Sequence, residues 1–158
     1  MATKPDGRAE HVVFRQYLDA VGLQSLAGAE AAGLHPTEWY AFSLIAREGS
    51  LTSGELATRT GLTTGATTRL IDRLEKAGYA RRGADPRDRR RVVVEPVPGA
   101  VDRIAQVVEP ARHHVADVLA RYTPDERALL FDYFARAAPA FRAATEQIRQ
   151  AASARGRN

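Results

Sequence analysis

Apolar residues recur at steps of three and four near both ends of the chain, which is the spacing of an amphipathic helix. Near the start, this spacing in an alanine-rich segment predicts a helix over residues 9–31. A second helix is predicted to begin at Pro36 and to end at Gly49, because proline suits the first helical turn and glycine suits the residue after the last. Helices therefore lead into the middle of the chain.

The C-terminal half carries two longer apolar seams. Over residues 101–122 apolar side chains alternate at steps of three and four, as in a coiled coil. Thr123 caps a final helix whose seam reaches Ile148. Pro110 predicts a kink or local break in the first helix, and Pro139 predicts a bend in the second. Seams this long predict a homodimer whose subunits interlock through their ends, although the spacing alone also fits an intramolecular helical bundle.

Residues 52–77 have the spacing of a helix-turn-helix. Thr52 and Glu55 form a capping box for a short helix that ends at Gly61, and Thr63 caps the longer helix that follows. The tight turn sets the two helices at a steep angle, so that the second can enter a major groove of DNA. The predicted inward face of this second helix consists of Leu70, Ile71 and Leu74.

A β-hairpin is predicted directly after the helix-turn-helix, with strands in residues 79–84 and 91–95 and a charged tip. A recognition helix followed by such a hairpin is a winged helix, in which an arginine at the tip can enter the minor groove. Asp85 and Asp88 make sense if one of them orients a tip arginine or pairs with Arg73 across the base of the hairpin. Plain turn chemistry is the alternative for Asp85.

Charge strengthens this interpretation. The chain has 158 residues and a formal net charge of +4. Residues 81–91 hold six arginines and two aspartates, so the rest of the chain is neutral overall. Excess charge in one short stretch indicates a local anionic partner, of which the phosphate backbone is the commonest, while a solvated basic loop is the alternative.

The middle of the chain resembles the winged helix of the multiple antibiotic resistance regulator (MarR) family. The resemblance rests on the run LTSGELATRTGLTTGATTRLIDRLEKAGYARRGADPRDRRRVVVEP, and DPRDRR is its most specific piece. It extends over roughly residues 10–148 and implies a homodimer with two winged-helix lobes on a pseudo-palindromic operator. It also implies that a small anionic or phenolic effector releases the DNA.

The predicted fold is mostly α (α+β), with a winged helix-turn-helix and a helical dimerisation domain built from both chain ends. We expect residues 8–35 and 98–150 to form the dimerisation domain. Residues 36–97 are expected to form the DNA-binding domain.

The predicted DNA contacts come from the outward surface of the second helix and from the hairpin tip. The resemblance implies that Arg90 is the minor-groove arginine and that Asp88 is its partner. Thr67 occupies an inward position, where its hydroxyl is expected to bond back into its own helix. The predicted DNA-binding set is Ser53, Thr63, Thr64, Gly65, Thr67, Thr68, Arg69, Arg73, Arg87, Asp88, Arg89 and Arg90.

An effector site is predicted from the resemblance, which places His11, Tyr17 and Trp39 beside the cleft between the two domains. An aromatic wall with a titratable group suits an aromatic acid. In the alternative interpretation, Trp39 and Tyr17 belong to the core and His11 is a surface residue.

Several other classes of site are not expected. The chain has no cysteine, which excludes disulfides, thiolate metal sites and thiol sensing. The adjacent His113 and His114 point about 100° apart on a helix and cannot share one ion, so no metal site is predicted. No catalytic motif is present, and we expect neither an enzyme nor a cofactor. The N-terminal segment has no hydrophobic signal core, so we expect a cytoplasmic protein.

The sequence therefore predicts a sequence-specific transcriptional regulator that binds double-stranded DNA, with repression as its usual outcome in the resembling family. The alternatives are a non-specific architectural DNA-binding protein with the same fold and a helical protein-interaction module. The ratio of specific to random-sequence affinity separates the first two, and the third predicts no DNA binding at physiological salt.

Overall fold

The computed structural model describes residues 7–85, 88 and 90–155. It is mostly helical with a small antiparallel sheet, which confirms the predicted fold class. Its elements are α1 (Gly7–Ala31), α2 (Pro36–Glu48), β1 (Leu51–Thr52), α3 (Ser53–Thr60), α4 (Thr64–Lys76), β2 (Ala80–Ala84), β3 (Val92–Pro96), α5 (Ala100–Leu119) and α6 (Pro124–Arg155).

The chain divides into two compact units, residues 1–109 and residues 110–158. The first contains the helix-turn-helix and the sheet. The second contains the end of α5 and all of α6. No described residue of α6 is buried. No helix in the described part of the chain is long and apolar enough to span a membrane.

The sheet has the strand order β1-β3-β2, and both pairings are antiparallel. The predicted hairpin is confirmed as β2 and β3, with Arg82 opposite Val94. The strand β1 was not predicted: its Leu51 pairs with the other side of Val94. Two residues are too few to show the alternation by which a strand is recognised in a sequence. β3 is therefore the central strand, and it extends past β1 toward the tip of the hairpin.

The core of the first unit lies between the sheet and helices α2, α3 and α4. The predicted inward face of α4 is confirmed, since its three apolar residues are 0% exposed. Burying each such side chain stabilises the fold by roughly 1.5–3 kcal/mol. The largest fully buried residues are Phe42, Ile45, Leu56, Leu70, Ile71, Leu74, Val94 and Thr67.

The predicted capping box at the start of α3 and the predicted cap at Thr123 are both confirmed. At α3, Thr52 N–H donates to Glu55 Oε2 at 2.7 Å, and Glu55 N–H donates back to Thr52 Oγ1 at 3.2 Å. At α6, Thr123 and Glu126 make the same exchange at 2.8 and 3.3 Å. α3 ends as predicted at Gly61, whose φ of 70° is in the left-handed region that glycine adopts without strain. These local bonds fix where the helix-turn-helix begins and turns.

The prolines inside the long helices do not interrupt them. α5 is continuous through Pro110, so the helix is not broken there, and a kink at Pro110 stays a prediction. Proline removes one backbone hydrogen bond, and the remaining helical bonds on either side keep the helix intact. α6 is likewise continuous through Pro139, and the bend there stays a prediction.

The start of β2 is tied to both neighbouring helices. Tyr79 Oη donates to the carbonyl of Ala32, just after α1, at 2.9 Å. Arg103 of α5 lies over the Tyr79 ring, with its guanidinium carbon 4.5 Å from the ring centre, and donates to the carbonyl of Gly78. This cluster holds the strand that leads into the hairpin against the rest of the first unit.

Candidate nucleic-acid interface

The outward face of α4 is short, polar and open. Thr64, Gly65, Thr68 and Arg69 are all exposed, as predicted. Thr68 Oγ1 donates to the carbonyl of Thr64 at 3.1 Å, which directs the hydroxyl along the helix. Small side chains here leave room for an α-helix to approach the edges of bases.

Ser53 and Thr63 lie at the starts of the two helices. Ser53 is half-buried at the first position of α3. Thr63 is exposed and caps α4, with Oγ1 accepting from Ala66 N–H at 3.3 Å. Thr63 is thus in the turn of the helix-turn-helix, whereas Ser53 is at the other end of α3, and neither lies on the central face of α4.

Thr67 does not belong to the exposed surface. Its side chain is 1% exposed, and its hydroxyl donates to the carbonyl of Thr63 at 3.0 Å. The predicted bond back into its own helix is confirmed, but the inclusion of Thr67 among the DNA contacts is wrong, because a buried residue of a packed helix cannot reach a base or a phosphate.

Arg73 pairs with a carboxylate that the sequence did not indicate. Its Nε donates to Oε1 of Glu38, a residue of α2 that is 7% exposed. Of the two interpretations of Asp85 and Asp88, the pairing with Arg73 is therefore not the one found, because the ion pair of Arg73 is with Glu38. Glu38 Oε2 also accepts from the N–H of His35, the N-cap residue of α2, at 3.0 Å. Arg73 thus links α4 to the beginning of α2, and its side chain is still 54% exposed.

The electrostatics of Glu38 follow from these contacts. Burial alone would raise the pKa of its carboxyl. The hydrogen bond from His35 N–H and the adjacent Arg73 guanidinium outweigh burial and lower that pKa below its ordinary value. The carboxylate is therefore favoured in its charged form, as an ion pair with Arg73 in the last turn of α4 requires.

The arginines at the base of the hairpin are paired with carboxylates. Arg81 Nε lies 2.8 Å from Glu95 Oε1 on the opposite strand. Arg82 Nη2 lies 2.6 Å from Asp72 Oδ1, and Arg82 Nη1 contacts Glu75. Two of the six arginines in the basic stretch therefore form ion pairs within the protein. This pairing was not predicted from the sequence, although Asp72 and Glu75 are three residues apart and so share one face of α4.

Backbone hydrogen bonds join the described residues near the hairpin tip, Asp85, Asp88, Arg90 and Arg91. Asp85 N–H donates to the carbonyl of Arg91 at 2.9 Å, and Arg91 N–H donates to the carbonyl of Asp88 at 2.9 Å. Asp88 Oδ1 accepts from the backbone N–H of Arg90 at 3.0 Å. The Asp88 carboxylate thus fixes the backbone that carries Arg90, whose side chain is exposed. Arg87 and Arg89, both predicted DNA contacts, lie outside the described residues.

The three predicted effector residues lie in different surroundings. Trp39 packs against the core of the first unit, and a Cβ at Gly28 would come within 2.8 Å of its Cζ2. His11 is exposed, and Tyr17 is 51% exposed on α1. The alternative interpretation therefore describes Trp39 and His11 well, but Tyr17 is not a core residue in the single chain.

The two adjacent histidines, for which no metal site is predicted, lie on α5. His113 Nε2 lies 3.7 Å from Asp117 Oδ2, one helical turn away on an exposed surface. Among the described residues, no group of three or more histidine, aspartate or glutamate side chains is placed to hold an ion.

Comparison with known proteins agrees with this geometry. A sequence model described as MarR family matches residues 32–91. The uncharacterized HTH-type transcriptional regulator YcgE of Bacillus subtilis is 38% identical over 138 residues, covering 87% of this chain and 90% of that protein. A MarR family protein from Bacillus stearothermophilus has a similar structure, with a TM-score of 0.66, 23% identity and coverage of 89% of this chain and 99% of that one. A mutant of MepR from S. aureus gives a TM-score of 0.70 with 12% identity, over 89% of this chain and 99% of that one. The protein belongs to the MarR family of helix-turn-helix transcriptional regulators.

Proposed function

We propose that the protein is a sequence-specific repressor that binds a pseudo-palindromic DNA operator as a homodimer and is released by a small-molecule effector. The observation that carries this proposal is the pairing, within one unit, of an open polar face on α4 with a hairpin whose tip presents Arg90 on a fixed backbone. The two elements match the major-groove and minor-groove parts of one half-site.

In this proposal α4 reads the bases. The hydroxyls of Thr64 and Thr68 can hydrogen-bond to base edges or phosphates, and their methyl groups can contact thymine. Arg69 reaches a phosphate or a guanine edge. The hairpin of β2, β3 and the turn between them, called the wing from here on, places Arg90 in the flanking minor groove, with Arg87 and Arg89 as further contacts. A narrow minor groove concentrates negative potential, which favours an inserted arginine.

The dimer is supported by apolar surface on the terminal helices. Phe131, Phe141 and Ile148 of α6 are 56%, 46% and 68% exposed, and Val115 of α5 is 57% exposed. Apolar surface on this scale is typical of an interface. We propose that residues 8–35 and 98–150 form that interface and that residues 36–97 form each DNA-binding lobe. Two recognition helices on one face of DNA need a spacing of about 34–36 Å.

Release by an effector is proposed as a population shift. A ligand that binds better to a dimer with a different lobe spacing lowers the population that fits DNA. The aromatic and titratable side chains of Tyr17 and His11 suit a small aromatic or anionic effector. Trp39 is the third predicted residue, and its packing in the core gives it an indirect part in such a site.

Fluorescence anisotropy tests the proposal. The probes are a duplex selected by the full-length protein from a random pool and a scrambled duplex of the same composition, each titrated at several salt concentrations. We expect two chains per duplex and a preference for the selected duplex of at least about a thousandfold. Equal binding to both would favour an architectural protein, and no binding to either at physiological salt would favour a protein-interaction module.

The dimer has its own test. Phe141→Asp places a charge on the exposed seam of α6 without disturbing a buried core. We expect sedimentation equilibrium to show a shift toward monomer, with unchanged helical content by circular dichroism. A dimer of unchanged strength would exclude this part of the seam from the interface.

A further inference from the structure

The sheet is three strands wide in only two rows, which are called the root of the wing here. β1 pairs with β3 at two positions, Leu51 with Val94 and Thr52 with Val93. Beyond them toward the tip, β2 and β3 pair only with each other, as in the Ala84–Val92 pair. A two-stranded ribbon on its own is marginally stable and pivots about its root. The direction of the wing therefore depends on what holds that root.

Arg82 lies opposite Val94 in the first of these two three-stranded rows, and Gly83, opposite Val93, lies in the second, after which the sheet narrows toward the tip. Its backbone N–H donates to Glu75 Oε1 at 2.8 Å, its Nη1 contacts the other oxygen of Glu75, and its Nη2 lies 2.6 Å from Asp72 Oδ1. Its side chain is 34% exposed, against 58% for the neighbouring Arg81. One guanidinium thus joins the root of the wing to two carboxylates, three residues apart on α4.

We infer that Arg82 is a positioning residue that fixes the direction of the wing relative to the recognition helix, so that α4 and the wing meet DNA as one rigid body. This inference rests on the proposed function. The planar fork of an arginine holds two carboxylates in fixed directions, which a flexible ammonium group does not. A network of this kind is also worth more than an isolated surface ion pair.

The role of Arg82 differs in kind from that of Arg90. The charge of Arg82 is already matched by Asp72 and Glu75, so Arg82 neutralises no phosphate. Its loss should therefore weaken binding through the freedom gained by the wing, because a wing that pivots must be ordered when DNA binds. The slope of log K against log salt, which counts phosphate contacts, should stay the same.

Paired substitutions separate position from charge. Arg82→Gln with Asp72→Asn removes one positive and one negative charge, leaving the net charge unchanged. The matched control is Arg81→Gln with Glu95→Gln, which removes the neighbouring pair in the same way but leaves the link to α4 intact. Circular dichroism at the binding temperature checks that both full-length variants are folded.

The first measurement needs no DNA. The chain has no cysteine, so Ala84→Cys on the wing and Lys76→Cys on α4 can carry two spin labels at defined sites. We expect the distance distribution between the labels within one protomer, measured with labelled chains diluted in unlabelled ones, to broaden in the Arg82–Asp72 variant. In the Arg81–Glu95 control we expect the distance distribution to be as narrow as in the labelled protein without further substitutions. Equal widths in the two variants would overturn the inference, whether or not the protein binds DNA.

The second measurement uses the duplex selected from a random pool. We expect the unlabelled Arg82–Asp72 variant to bind it about three- to tenfold more weakly with an unchanged salt slope. The control should bind within about twofold of the wild type. A shallower slope in the Arg82–Asp72 variant would show that Arg82 contacts phosphate, and an unchanged affinity despite a broader distribution would show that the direction of the wing is irrelevant. Both results would refute the inference, whereas a wild type that binds no duplex would refute the proposed function itself.

Discussion

Replacing Glu38 by glutamine tests whether the ion pair beneath α4 is structural. Glu38→Gln keeps the shape of the side chain and an oxygen that can accept from His35 N–H. It removes the charge that faces Arg73. The side chain of Glu38 is 9% exposed and that of Arg73 is 54% exposed. The buried partner thus loses its charge, while the partner left without a carboxylate is the one that water can reach.

The magnitude follows from that asymmetry. A hydrogen bond to a charged group contributes about 1.5–3 kcal/mol, and water recovered by Arg73 offsets part of it. We expect Glu38→Gln to lower the free energy of unfolding by about 1–2 kcal/mol at pH 7. For a chain of 158 residues this corresponds to a Tm lower by about 2–8 °C.

The pH dependence has a definite sign. The pKa of Glu38 is lower in the folded protein than the ordinary value of about 4.3 expected in the unfolded chain. Its contribution to stability is therefore complete above the unfolded pKa and is lost as pH falls through the folded pKa. The difference between wild type and Glu38→Gln should be constant from about pH 6 to pH 8 and should shrink below about pH 4.

Urea unfolding followed by circular dichroism measures this difference, at a fixed protein concentration because a dimer's stability depends on it. Glu48→Gln is the matched control. Glu48 pairs with Arg59 at 2.8 Å, and its pKa is also lowered, by hydrogen bonds from Arg59 and Arg47, but it lies on the surface. We expect a smaller loss there, since exposed pairs contribute little. The reasoning fails if both variants lose equal stability, or if the Glu38→Gln deficit persists undiminished at pH 3.

Three further predictions concern the proposed DNA surface. Arg90→Ala should lower operator affinity several-fold and reduce the salt slope by about one per wing in anisotropy titrations, and an unchanged slope would exclude Arg90 from the phosphate contacts. Thr68→Ala should change affinity at particular operator positions while preserving the salt slope, so a uniform loss across a panel of single-base operator variants would argue against base readout by Thr68. Gly65→Ala should raise stability by about 0.5–1 kcal/mol, since an added Cβ would meet only Arg69 Nη1 at 3.8 Å, yet should weaken DNA binding by filling the open face of α4. Gly54→Ala, at the equivalent position of α3 with open space around it, should raise stability without an equal loss of affinity, and equal losses in the two variants would contradict close approach at Gly65.

The parts of the fold that the sequence predicted are those specified by short-range chemistry. The capping box of Thr52 and Glu55 and the turn at Gly61 each involve residues a few positions apart, so their geometry follows from spacing. The strand β1 escaped prediction because two residues have no detectable period. The pair of Glu38 and Arg73 escaped because 35 positions separate its members. No pattern along the chain records which charges meet after folding.

The basic stretch of residues 81–91 is another case in which the sequence alone could not show which charges meet in the fold. Composition places the net charge of the whole chain in residues 81–91 and treats its six arginines alike. The register of the hairpin divides them: Arg81 faces Glu95, and Arg82 faces two carboxylates of α4, while Arg90 stands exposed at the tip. Because an arginine already matched by carboxylates releases few counterions on binding DNA, the charge of the stretch is an upper bound on its phosphate contacts. By the inference above, Arg82 positions the wing that carries Arg90, so affinity can depend on both residues while salt dependence reports only Arg90.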